Sequence, residues 1–108
     1  MDFNEYQREA RTTAIYPAQM NILYPALGLC GEAGEVAEKV KKMYRDDNGD
    51  LTDDRKEAIK NEIGDLLWYC ASLAHDCGLT LQDVAEANIA KLRSRKDRGV
   101  LKGSGDRR

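Results

Sequence analysis

The stretch GEAGEVAEKVKK (31–42) is followed by the turn-rich run DDNGD (46–50) and then by NEIGDLLWYC (61–70). Reading these three segments together decides the fold. Each flanking segment carries apolar residues at i, i+3 and i+4 spacing, the mark of an amphipathic helix. The run between them is turn-forming by composition. The pattern predicts a helical hairpin, and each arm bears two acids three residues apart: Glu32 and Glu35, then Glu62 and Asp65.

Helical phase sharpens the expectation. At about 100° per residue, with Glu32 set to zero, Leu29, Ala33, Val36, Ala37, Val40 and Met43 fall between about 20° and 140°, and Glu35 falls near 300°. Setting Glu62 to zero gives the same arc for the apolar residues of the other arm, with Asp65 again near 300°. Glu35 and Glu62 are equidistant from the point between Asn48 and Gly49, and so are Glu32 and Asp65. Antiparallel helices of like phase therefore bring both acid pairs to one level on one side of the seam. Four converging carboxylates repel and raise their own pKa values unless a cation lies between them. A hard divalent ion held by oxygens resolves this. The only histidine, His75, lies more than two turns beyond Asp65, which disfavours zinc and a di-iron site built on E-x-x-H. Mg²⁺ fits best, with Mn²⁺ as a substitute.

The rest of the chain extends the helical pattern to an all-α, four-helix bundle over approximately 3–16, 22–45, 54–77 and 81–95. Asp2 with Glu5 and Asp54 with Glu57 have capping-box spacing, Asn21 and Thr80 are further N-cap candidates, and Gly78 is a C-terminal stop. Pro17 closes the first helix. Gly28, Gly31 and Gly34 each cost about 1 kcal/mol against alanine inside a helix. They mark either a strip of close approach or a local break. The final GVLKGSGDRR (99–108) reads as a flexible or partner-ordered tail.

Length and composition bound the class. A chain of 108 residues, a third of them charged, suits one soluble domain with a modest core. Mean hydropathy is −0.65, and no apolar run approaches a membrane span. The N-terminus lacks a secretory pattern. Cys30, Cys70 and Cys77 form no CxxC spacing and read as buried thiols of a cytoplasmic protein. Charge is uneven: residues 1–88 hold 17 acids against 9 bases, and residues 89–108 hold 8 bases against 2 acids. A basic tail on an acidic body suggests anionic ligands or internal neutralisation. Glu38 reads as a further ligand or, preferably, a surface partner of Lys42 at i+4.

Together these residues resemble the MazG-like nucleoside triphosphate pyrophosphohydrolases of the all-α NTP pyrophosphatase superfamily. The family pattern E-E-x-x-E, then E-x-x-D, is matched by Glu32 and Glu35 and by Glu62 and Asp65, with Gly31 standing where the family has its first glutamate. NIAKLRSRKDRG (88–99) is similar to the family's N-x-x-K-x-x-x-R stretch. The resemblance implies Mg²⁺-dependent hydrolysis between the α and β phosphates, with the four acids as metal-binding and catalytic residues and a role in nucleotide-pool cleansing. It assigns Lys91 and Arg95 to phosphates and Asn88 to phosphate or sugar. Lys39 and Lys42 are weaker phosphate candidates on the acid-bearing side of their helix. Tyr69, phased between the acids, is expected to line the base pocket, and Trp68, near 240°, to pack at a subunit interface. A homodimer or a dimer of dimers follows from the short bundle and from the resemblance. The rival reading is a non-enzymatic helical interaction module whose basic tail binds nucleic acid, although interleaved aromatics and a reader motif are missing.

Overall fold

The computed structural model describes residues 1–108 as four α-helices and one 3₁₀ turn, with no strand. The helices are α1 (Phe3–Arg11), α2 (Leu23–Asp46), α3 (Asp53–Asp76) and α4 (Leu81–Asp97), and the 3₁₀ turn spans Ala18–Met20. Local chemistry explains most of the boundaries. Asp2 accepts the Glu5 backbone N–H at 2.8 Å and Thr80 accepts that of Asp83 at 3.0 Å, each cap contributing about 1 kcal/mol. At the start of α3 the cap is Thr52, which accepts from the Arg55 N–H, and not the expected Asp54 box. α3 ends at Asp76, and Gly78 just beyond it, with φ of +74°, lets its own N–H reach the His75 carbonyl and Leu79 N–H reach that of Ala74.

α1 is shorter than its apolar pattern predicts. The hydroxyls of Thr12 and Thr13 donate to the carbonyls of Glu9 and Ala10, competing with the next helical N–H groups. The chain then turns so that Tyr16 donates to the Asp76 carboxylate at 2.8 Å and accepts from Arg11 at 2.9 Å. The same fully buried carboxylate accepts the Ile22 N–H at 3.0 Å. Ile22, not Asn21, is the N-cap residue of α2, and it holds an unusual φ of +69° for a β-branched side chain. One buried acid at the end of α3 thus anchors the α1–α2 connection.

α2 and α3 form the antiparallel hairpin. Asn48 and Gly49 turn through left-handed backbone with φ of +56° and +78°, and Arg55 closes the turn on Asp47 at 2.8 Å. α1 crosses α3, clipped by the buried Gln7, which donates to the Ala71 and Leu79 carbonyls and accepts the Leu81 N–H. α2 is continuous through its three glycines, so they mark no break. Among them, only Gly28 has a neighbour pressed against it; Gly31 and Gly34 face open space. Glu38 pairs with Lys41 at i+3, not with Lys42.

The arrangement is open. Only 9 of 108 residues are buried, and the radius of gyration is 16.7 Å, against roughly 13 Å for a compact domain of this length. Ile63, Val84, Ile89 and Leu92 stay exposed. The cysteines are free but not uniformly buried as expected: Cys30 and Cys77 are exposed and Cys70 is half-buried. Cys70 and Cys77 lie along an uncovered, wholly apolar groove of 310 Å³ with Leu29, Leu73 and Leu81. The tail also departs from expectation, folding back on itself and on α4. Arg108 donates to the carbonyls of Val100, Leu101 and Gly105, while Arg98 reaches the Arg108 carbonyl.

Candidate active site

The hairpin carries the candidate site. Carboxylate oxygens of Glu32, Glu62 and Asp65 lie within 4.8 Å of one another, with both glutamates half-buried and Asp65 exposed. Glu35 lies outside this group and is exposed, although its charge still reaches Glu32. Two like charges at about 4 Å repel by ~1 kcal/mol in bulk water and by more near a protein surface. The Glu32 carboxyl accordingly titrates above its ordinary range, raised first by desolvation, then by hydrogen bonding with Glu62, and then by the charges of Asp65, Glu62 and Glu35. The nearest base is Lys39, whose Nζ stands 4.0 Å from Glu62, at the outer limit of an ion pair. The donor set contains oxygen only, as a hard divalent cation requires.

Glu32 and Asp65 share a 380 Å³ cleft with Thr13, Trp68 and Tyr69. Tyr69 lines this cleft, as its phase predicts. Trp68 lines it too, with its Nε1–H donating to Thr13 Oγ1 at 2.8 Å. The rings interlock: Trp68 meets Tyr69 edge-on at 5.0 Å, and Tyr16 stacks on Tyr24 at 4.8 Å. The Tyr69 hydroxyl is pushed up in pKa by burial, then by Tyr24, and by the charges of Glu32 and Asp65. Tyr6 of α1 is raised by burial and then by Asp65. Thr13 escapes a sequence reading because only the crossing of α1 over α3 brings it here.

The basic residues are held elsewhere. Lys91 Nζ lies 2.7 Å from Asp106 Oδ1, and Arg95 Nη2 donates to the Asp106 carbonyl at 2.6 Å and stands 3.3 Å from its carboxylate. Arg95 is buried beneath the tail, with its Nε unpartnered. Asn88 is exposed, one turn before Lys91. The carboxylate partner of Lys91 and Arg95 is therefore Asp106, not the acidic triad.

A family model of the MazG nucleotide pyrophosphohydrolase domain matches residues 23–100, which covers α2, α3, α4 and the start of the tail, and the chain belongs to that family. It is 45% identical over 114 residues to the Gene 37 protein of Mycobacterium phage L5, an alignment that covers 100% of each chain. No solved structure matches it.

Proposed function

We propose that the chain hydrolyses (deoxy)nucleoside triphosphates between the α and β phosphates, releasing a nucleoside monophosphate and pyrophosphate in the service of nucleotide-pool cleansing. Residues 1–108 act in this reading as one catalytic domain. The observation that carries it is the meeting of Glu32, Glu62 and Asp65 within 4.8 Å, beside an aromatic cleft, in a MazG-family chain.

The all-oxygen donors fit Mg²⁺, with Mn²⁺ as a substitute. Glu32, Glu62 and Asp65 would hold the ion, and Glu35 would join them by swinging in from α2. When bound, the ion supplies charge neutralisation and polarisation of a phosphoryl oxygen. The remaining work falls to the chain. Tyr69 and Trp68 offer ring surface to the base, and Thr13 fixes the Trp68 ring. Lys91 and Arg95 exchange Asp106 for phosphate, Asn88 contacts phosphate or sugar, and Lys39 adds positive charge beside Glu62. One carboxylate of the set takes the proton from the attacking water.

Self-association into a homodimer or a dimer of dimers completes the proposal. It is supported by the nine buried residues, the exposed apolar side chains and the open groove beside Cys70. No helix is long and apolar enough to cross a membrane. A nucleic-acid-binding tail is the weaker reading, because the tail's own groups already engage Lys91, Arg95, Arg98 and Arg108.

The test is pyrophosphate release from a panel of ordinary and modified nucleoside triphosphates. Release is expected with Mg²⁺ and lost with chelator or in Glu62→Gln. No release from any nucleotide under Mg²⁺ or Mn²⁺ defeats the proposal, and light scattering reads the assembly.

A further inference from the structure

Gly28 sits one turn before Glu32 on α2, and Tyr69 sits one turn after Asp65 on α3. Like Glu32 and Asp65, the two are equidistant from the turn between Asn48 and Gly49. They form the next rung of the seam that carries the acids. At this rung the Tyr69 ring lies directly on the α2 backbone. A Cβ added at Gly28 would stand only 2.5 Å from Cδ1 and Cζ of Tyr69, and nearer still to Cε1. Real side chains do not approach so closely. No other helical glycine is in this position, since Gly31, Gly34 and Gly64 have nothing within 4 Å.

The ring cannot yield freely. Trp68 meets Tyr69 edge-on with centroids 5.0 Å apart, and Tyr24 covers it at 6.3 Å. Trp68 is itself tied to Thr13. With α2 behind and aromatic neighbours beside it, a displaced Tyr69 ring has the cleft as its open side, where it would take volume from the 380 Å³ next to Glu32 and Asp65.

We propose that Gly28 is a positioning residue: its bare Cα seats Tyr69 against α2, keeps the ring out of the cleft, and sets the room for the nucleoside beside the acidic triad. The inference rests on the nucleotide-hydrolysis reading and adds the residue that sets cleft size. Gly28 touches no reacting atom in this scheme. It acts through Tyr69, and its effect belongs on substrate binding, not on the carboxylates.

The experiment compares wild type, Gly28→Ala, Tyr69→Leu and the double variant, each measured for KM, kcat and Mn²⁺ affinity. Gly28→Ala should raise KM roughly tenfold or more, the scale on which a tight pocket registers one methylene. Purine triphosphates should suffer more than pyrimidines, while Mn²⁺ affinity stays within about threefold, because the change is steric and one rung away from the carboxylates. In the Tyr69→Leu background the alanine should cost nothing further, since the ring it displaces is gone. Should Gly28→Ala alone fail to fold, the double variant still decides: its KM should equal that of Tyr69→Leu. The idea is overturned by an unchanged KM in folded Gly28→Ala, by a penalty that persists without the ring, or by a loss confined to kcat and Mn²⁺ binding. A wild-type protein that releases no pyrophosphate overturns the hydrolysis reading instead, so the two failures are distinct.

Discussion

The acidic seam of α2 and α3 and the basic face of α4 handle charge in opposite ways. In the seam, three carboxylates meet within 4.8 Å and the only nearby base stands 4.0 Å away. On α4, Lys91 and Arg95 both reach Asp106 of the chain's own tail, at 2.7 and 3.3 Å. Like charges are gathered in one region around a single base at the outer limit of an ion pair, whereas opposite charges are closely paired in the other. A rigid hairpin can hold repelling groups together because its packing is set by apolar stripes elsewhere on the same helices. The acidic cluster offers a set of oxygen donors, whereas Lys91 and Arg95 are already engaged by a carboxylate of the chain's own tail.

The largest effect should come from breaking the seam. Glu62→Gln and Asp65→Asn are each expected to cut pyrophosphate release by at least about 10²-fold, the usual loss when one electrostatic stabiliser is removed. Thermal melts in chelator should move the other way, with both variants at least as stable as wild type, because each removes a repelling charge. A variant that loses activity together with stability would mean that these acids serve the fold. Glu35→Gln sharpens the contrast within the seam. Lying outside the three-carboxylate group, it should lower Mn²⁺ affinity by about tenfold, the lower end for supporting ligands.

Much of the seam was legible in the sequence, because it depends on quantities that a sequence contains. Offsets from the turn at Asn48 and Gly49 and the angle per residue suffice to bring Glu32 and Asp65 together. What failed depended on particular hydrogen bonds, some local and some across the fold. α1 stops at Arg11 because Thr12 and Thr13 turn their hydroxyls back on it, and the next segment is drawn to Asp76, which no local pattern reveals. Trp68 lies outside the acid sector by phase, yet its indole N–H reaches Thr13, just past the end of α1, and its ring lines the cleft. The tail reads as disordered by its glycines, but its arginines find carbonyl partners that composition does not specify.

On the basic side, Asp106→Asn removes the tail's carboxylate from Lys91 and Arg95. If Asp106 competes with substrate phosphate, KM for a nucleoside triphosphate should fall in the variant, and the gain should shrink as added salt screens the exposed cations. An increase in KM would give Asp106 the opposite role, that of holding the two bases in place for the ligand. The Asp106 carboxyl is held below its usual range by Lys91 and then by Arg95. Its contribution to stability is therefore present above the unfolded carboxyl range and is lost as pH falls through the lowered value.

Glu32 gives the smallest effect and the opposite sign. Its folded pKa is raised above the ordinary 4.5, so the folded state binds this proton more readily than the unfolded chain does. The associated stability is full below 4.5 and is lost as pH rises through the folded value. In chelator, Glu32→Gln should therefore melt above wild type near neutral pH, and the gap should close as the pH is taken below 4.5. Saturating Mg²⁺ should reverse the neutral-pH ordering, since a cation bound only to the folded state favours the ionised wild-type carboxylate. Measuring the difference between wild type and variant removes the titration of Asp46 and Asp106, whose lowered values pull stability in the other direction. A gap that ignores both pH and Mg²⁺ would mean that Glu32 feels neither its neighbours nor a metal, and the seam would then be no different from any solvated pair of helix faces.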